Sequence, residues 1–247
     1  MSRAILVIGQ SHVAAIRSAA KIRREADPDR PRTRVVHTME PRYAPELAGD
    51  GEARRFAAPL EEAIRDQIQR HAPIVASASG GNVHNGFALI RHPRPYDFLL
   101  SGEDGPPLDP GAEPVTEALV RAALEAGLER DRQRLREIRR IAGEGVVQLE
   151  SPPPIADGAA IAERADAYFR DRGIAKLGVA PAGLRYKIWR LHSRIIAQYC
   201  ADLGLRFLPV PRAVQDERGF LRPEFAGDAT HGNQAYGEAV IRALEAL

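Results

Sequence analysis

Five short runs rich in apolar and β-branched residues, at 4–8, 34–37, 74–77, 146–149 and 206–210, alternate with longer stretches of helical periodicity. The helical stretches are 12–26, 59–70, 115–141, 158–170, 184–202 and 234–247. Five such runs alternating with helices predict a parallel sheet in a βα-repeating architecture with right-handed crossovers. The expected class is α/β, and 1–247 reads as a single domain because no linker-like stretch divides it. In the third helical stretch, Leu124, Leu128, Leu135, Ile138 and Ile141 fall on one stripe that must be buried. Between Arg121 and Arg140, Glu125, Glu129, Asp131 and Glu137 interleave with arginines at helical spacings, which predicts a solvated, ion-paired face.

Charge narrows the function classes. With 35 Lys+Arg against 33 Asp+Glu, the chain carries a formal +2 and no unneutralised basic stripe, so no nucleic-acid partner is expected. No segment approaches the ~20 apolar residues of a membrane span. The run at 4–8 is too short for a secretory signal, and the cytoplasm is the expected location. The lone cysteine, Cys200, falls in an apolar helical run and predicts an inert core thiol. His12, His84 and His92 lack the close spacing of metal ligands, so neither a metal nor any other cofactor is expected.

Residues 85–114 interrupt the alternation with Pro93, Pro95, Pro106, Pro107, Pro110 and Pro114, and with Phe87, Tyr96 and Phe98 among them. This predicts a long ordered loop insertion leaving the third strand, either a substrate-covering flap or a structural excursion. Pro152-Pro153-Pro154 follows the fourth strand and would stiffen a wall of the crevice at that sheet edge. Arg185, Lys187 and Trp189 offer a cationic and aromatic cluster that fits either a sugar or anionic group, or the core.

Three segments carry residue types suited to acyl chemistry. Gly9-Gln10-Ser11-His12 follows the first strand directly, which puts Ser11 at the strand's carboxyl end and a helix start, where open α/β sheets bind ligands. Asp228-Ala229-Thr230-His231 precedes the last helix, and an aspartate three residues before a histidine can hold Nδ1 and leave Nε2 free to take a proton. The alternative for Asp228 or Thr230 is a helix cap. Ser79-Gly80-Gly81-Asn82-Val83-His84-Asn85 follows the third strand, and Asn82 can donate its amide to an oxyanion while the glycines allow close approach of an acyl group. Gly81, His84, Asn85 and His12 are candidate substrate contacts. A dinucleotide site is disfavoured, because the first strand is followed by one glycine rather than Gly-x-Gly-x-x-Gly.

In order and spacing these segments resemble the blocks of the SGNH, or GDSL-like, hydrolases: Gly9-Gln10-Ser11 the first, Gly80-Gly81-Asn82-Val83 the third and Asp228-Ala229-Thr230-His231 the fifth. Gln10 and Val83 stand where the family has aspartates. The second-block glycine is not identifiable, since Ala48-Gly49-Asp50-Gly51 reads equally as a turn. The resemblance implies a three-layer α/β/α, flavodoxin-like fold. It also implies Ser11 as nucleophile, His231 as general base and then acid, Asp228 as its orienter, and an oxyanion hole using the Ser11 N–H and Asn82. The expected activity is hydrolysis of an ester, a short acyl or acetyl group on a small polar or carbohydrate-like molecule. An O-acyltransferase of the same fold and a catalytically silent glycan-binding protein are the alternatives.

Overall fold

Ile5–Gly9 forms β1, and all of its residues are buried, as a continuous apolar run in mid-sheet requires. There follow α1 (Val13–Ala26), β2 (Thr33–His37), the two-residue strands β3 (Leu47–Ala48) and β4 (Arg55–Phe56), α2 (Ala58–His71), β5 (Ile74–Ala78) and α3 (Val83–Ala88). The chain continues through β6 (Tyr96–Asp97), β7 (Glu113–Pro114), α4 (Glu117–Ala142), β8 (Val147–Leu149), α5 (Gly158–Arg164) and α6 (Ala167–Asp171). It ends with α7 (Ile174–Leu177), α8 (Ala182–Leu203), β9 (Arg206–Leu208) and α9 (Gln234–Glu245). The computed structural model describes residues 3–247, the side chain of Glu52 excepted.

The main sheet has the order β2-β1-β5-β8-β9, and its neighbouring strands are parallel. This is the doubly wound order in which the chain switches direction beside the first strand and opens a crevice at the carboxyl ends. Gly9 is level with both His37 and Ala78. The segments after β1 and β5 therefore leave the sheet side by side, which brings the Ser11 and Asn82 turns together.

Alternating residues of the central strands feed two cores. Leu6, Ile8, Val36 and Val75 pack with Leu60 and Ile64 of α2, the predicted stripe of α4 and Ile188, Leu191 and Ile195 of α8. Ile5, Val7 and Ala76 pack on the opposite face with Ile16 and Ala19 of α1 and Val240, Ile241 and Leu244 of α9. Truncating a fully buried leucine such as Leu124 or Leu135 to alanine costs about 2–5 kcal/mol. Arg23 of α1 ties the outer helices, reaching Glu238 at 2.6 Å and Glu245 at 2.7 Å.

Two expectations are corrected. The helix expected at 158–170 is broken between α5 and α6, because Asp166 turns extended and its carboxylate accepts from the Phe169 N–H to start a new helix. The polar face of α4 is not uniformly solvated: Asp131, Arg134 and Glu137 are buried, Glu137 accepting from the Phe56 N–H at 3.1 Å. Residues 85–114 make up the ordered insertion. They begin within α3, pair Tyr96–Asp97 with Glu113–Pro114, and are pinned to α8 by Lys187, wholly buried, which meets Asp97 at 2.7 Å. The Asp97 carboxylate also accepts from the Phe98 and Asp109 N–H groups.

Lys187 is thus a core residue, and so are its neighbours in sequence. Trp189 donates its indole N–H to the Ser151 carbonyl, and Arg185 spends its guanidinium on the carbonyls of Ala180, Ile155 and Ala156. The Arg185, Lys187 and Trp189 cluster therefore has no free face for a sugar. Cys200 is buried, which pushes its thiol up to about 12.

Candidate active site

β1 ends at Gly9, and the chain enters α1 through a tight turn in which the Val13 and Ala14 N–H groups donate to the Gln10 and Ser11 carbonyls at 3.1 Å. The turn leaves Ser11 partly exposed at the amino end of α1, where backbone N–H groups lack helical partners. Its Oγ lies 2.8 Å from His231 Nε2. On the other side of that ring, Nδ1 lies 2.8 Å from Asp228 Oδ2 and 3.0 Å from Oδ1. Three residues separated by up to 220 positions thus form one continuous hydrogen-bonded line.

The 228–231 segment is built to hold that line. Asp228 Oδ1 accepts the backbone N–H groups of Thr230 and His231, each at 2.8 Å, and the Gly227 N–H closes the turn onto the His231 carbonyl. Asp228 and Thr230 do not cap the following helix. Asn233 does so, accepting from the Tyr236 N–H, and this frees the Asp228 carboxylate for the imidazole. Burial alone would raise the Asp228 carboxyl, but the His231 ring and the Thr230 N–H outweigh it and hold the group well below its ordinary value. The carboxylate is ionised and accepts from Nδ1–H, which leaves Nε2 as an acceptor facing the serine hydroxyl.

Across the crevice, Asn82 stands at the start of α3 with its side-chain oxygen accepting from Asn85 Nδ2 at 2.7 Å. This fixes the amide and leaves its NH₂ group as a donor. Gly81 must be glycine: a Cβ there would lie 2.3 Å from Cδ2 of His12. His12 is buried, and its ring centroid lies 4.6 Å from that of His231. Burial, helped by the neighbouring His231, lowers His12 to about 3, so it is neutral at any working pH.

No protein-family model matches the chain, and no curated protein matches it. Among solved structures it is similar to a Slackia heliotrinireducens protein assigned to the SGNH hydrolases, at 14% identity over 100% of this chain and 98% of that one, with a TM-score of 0.50. The fold is that of the SGNH hydrolases. Weaker likenesses are to a carbohydrate acetylesterase from Sinorhizobium meliloti (12% identity, 99% and 97% coverage, TM-score 0.42) and to the periplasmic domain of a Salmonella ser. Paratyphi A lipopolysaccharide acetyltransferase (13%, 99% and 82%, 0.47).

On this SGNH fold, the residues singled out in the sequence separate into two groups. Ser11, His231, Asp228, Asn82, Gly81 and His12 lie at one end of the sheet or in the turns that leave it. His84 does not face the crevice: it is buried against His192, ring centroids 5.0 Å apart, and is removed from the candidate substrate contacts. Asn85 is likewise buried and serves Asn82 instead. Gly49 and Gly51, both at positive φ, lie in the turn between β3 and β4.

Among the described residues no group of histidines, cysteines and carboxylates is arranged to hold a metal ion, and no helix is long and apolar enough to cross a membrane. Sequence reasoning missed Arg134, Asp131 and Glu46, which lie beneath the Ser11 turn. The i,i+3 spacing of Asp131 and Arg134 on α4 was visible, but their burial, which distinguishes them from a surface pair, and the distant partner Glu46 were not.

Proposed function

We propose that the protein is a serine hydrolase that cleaves short acyl esters, most simply acetyl esters, of small polar or carbohydrate-like molecules. The observation that carries this reading is the unbroken line Ser11 Oγ, His231 Nε2, His231 Nδ1 and Asp228, with 2.8 Å at each junction. Ser11 attacks the acyl carbon as His231 takes its proton, and the developing oxyanion accepts from the Asn82 amide and the Ser11 N–H. The imidazolium, stabilised by Asp228, then returns the proton to the departing alcohol. Water, deprotonated by the same imidazole, releases the acyl group from Ser11.

One feature supports the substrate class. The partly exposed surface beside Ser11 includes Asn82 and Thr230, polar groups suited to a hydroxylated alcohol.

The deciding experiment treats purified protein with a fluorophosphonate probe, comparing wild type with Ser11→Ala. Labelling in the wild type and its loss in the variant support the reading. Absence of labelling, or labelling that survives the substitution, refutes it.

A further inference from the structure

Beneath the Ser11 turn, α4 presents a guanidinium enclosed by protein. Arg134 donates from Nε to both Glu46 oxygens at 3.0 Å, and from Nη1 to Asp131 Oδ1 at 2.7 Å, and all three residues are buried. The two carboxylates occupy the edges of the guanidinium plane. Its face is covered by Gln10: oriented with its oxygen inward, the Gln10 amide places that atom 2.8, 2.8 and 3.0 Å from Nε, Nη1 and Nη2. Asp131, held on Arg134 at 2.7 Å, is near enough to the same amide to be influenced by it.

Gln10 is the residue immediately before Ser11, so this contact reaches the nucleophile through a single peptide unit. The same cluster abuts the opposite turn, since a Cβ at Gly80 would lie 3.4 Å from that of Asp131. Glu46 belongs to the excursion after β2. One guanidinium therefore sits where three carboxyl-edge segments of the sheet meet a single helix.

An amide is the side chain that suits position 10. Its oxygen answers Arg134 without adding charge, whereas a carboxylate would face Arg134 favourably but oppose both Asp131 and Glu46 at short range in a medium of low dielectric. Arg134 has already been neutralised by two carboxylates, so a third has no free charge to meet.

We infer that Arg134 and Asp131 are positioning residues for Ser11, acting through the Gln10 amide, and that this is why a neutral residue precedes the nucleophile in this chain. The inference rests on the proposed serine chemistry. Arg134 and Asp131 touch no substrate; they set the height and orientation of the Ser11 turn relative to His231. A displacement of about 1 Å at a reacting group costs about 10²-fold in rate.

The test is a charge-complementation series read as the rate of fluorophosphonate labelling and as kcat and KM for a small aryl acetate. Gln10→Glu, nearly isosteric, is expected to lower the labelling rate and kcat by about 10²-fold with little change in KM. Asp131→Asn alone slows the enzyme less. The double variant Gln10→Glu/Asp131→Asn recovers most of the loss, because the amide and carboxyl have exchanged places.

A second readout is pH. The groups facing position 10 are Asp131 and Arg134 of α4 and Glu46 of the β2 excursion, with Arg130 3.9 Å from Glu46. Burial already raises the Asp131 carboxyl, and a further carboxylate beside it raises it again, so lowering pH protonates the pair and restores a donor. The activity of Gln10→Glu relative to wild type therefore rises as pH falls, which a merely damaged fold would not produce. Arg134→Lys, which keeps the charge but not the planar fork, is expected to behave like Gln10→Glu without its pH recovery.

If the wild type labels at Ser11 and Gln10→Glu matches it, or the double variant is no better than the single, the positioning role is overturned and the serine chemistry stands. If the wild type does not label, both fall.

Discussion

The imidazole rings of His12 and His231 lie 4.6 Å apart between centroids, tilted by 51°, and the far side of His12 presses on the Gly81 backbone. His12 thus spaces the proposed base from the turn that carries Asn82. A methyl group at position 81 has no room, so Gly81→Ala must push the ring or the turn aside, at about 1–3 kcal/mol of stability. Removing the obstruction relieves the strain: His12→Ala/Gly81→Ala is expected to be less destabilised than the sum of its single variants. Urea unfolding of the four proteins measures the coupling, and additive costs would show that the contact is not felt.

His12, His84 and His192 are all buried and all held neutral. Burial lowers His12 to about 3 and His192 to about 4, and burial together with His192 takes His84 well below its ordinary value. An unfolded histidine titrates near ~6.5. Between ~6.5 and ~4.5, therefore, the unfolded chain takes up protons that the fold refuses. The stability these groups allow is fully present above ~6.5 and falls as pH drops, with a slope approaching about 1.4 kcal/mol per pH unit for each histidine. Carboxylates whose folded values are lowered, Glu46 and Glu238 among them, lose their contribution only below ~4.5, while the raised Asp131 carboxyl opposes the histidine trend without matching the number of buried rings. Unfolding midpoints at pH 7, 6 and 5 are expected to decline in wild type and less steeply in His84→Phe. A level profile over that range would contradict the burial of neutral rings.

One wholly buried ion pair, Lys187 with Asp97, ties the insertion at 96–114 to α8, beside the more exposed pairs of Glu103 with Arg190 and Arg194. Asp97 keeps two backbone N–H donors if Lys187 is removed, whereas Lys187 without Asp97 retains only the Pro107 carbonyl. Stranding the ammonium is the worse insult, so Asp97→Leu is expected to cost about 3–5 kcal/mol and Lys187→Met clearly less. Thermal unfolding gives the order, and limited proteolysis between residues 98 and 112 reports whether the segment has come away from α8. The reverse order would mean that the carboxylate, not the ammonium, is the group in need of its partner.

The sheet was legible in the sequence because short apolar and β-branched runs alternate with stretches of helical periodicity, the pattern a parallel sheet with helical crossovers requires. The five predicted runs lie within two residues of the observed strands. The Asp228 and His231 juxtaposition was legible because its spacing is local. The break at Ala165 was not, since Asp166 competes for backbone donors through a side chain whose preference for capping over helix continuation is decided by where Phe169 packs. The destinations of Lys187 and Arg134 were hidden for another reason. Each pairs with a carboxylate about ninety positions away, 90 for Asp97 and 88 for Glu46, and an α4 arginine that is buried looks in sequence like its exposed neighbours.

Asp228 offers the sharpest separation of chemistry from stability. In Asp228→Asn the side-chain oxygen can still accept the Thr230 and His231 N–H groups that Oδ1 holds at 2.8 Å, so the turn should persist and unfolding should change little. The atom facing Nδ1 becomes an NH₂ group, a donor. Nδ1 must then accept, the ring proton moves to Nε2, and Nε2 presents a donor to Ser11 Oγ where an acceptor is needed. The imidazolium formed during attack also loses the negative charge beside it. The expected result is a fall in kcat of about 10²–10⁴-fold with KM and folding stability nearly unchanged, measured on a small aryl acetate beside urea unfolding. Activity within a few-fold of wild type would mean that His231 does not depend on Asp228 for its tautomer, and that the base, if it is one, is oriented by some other group.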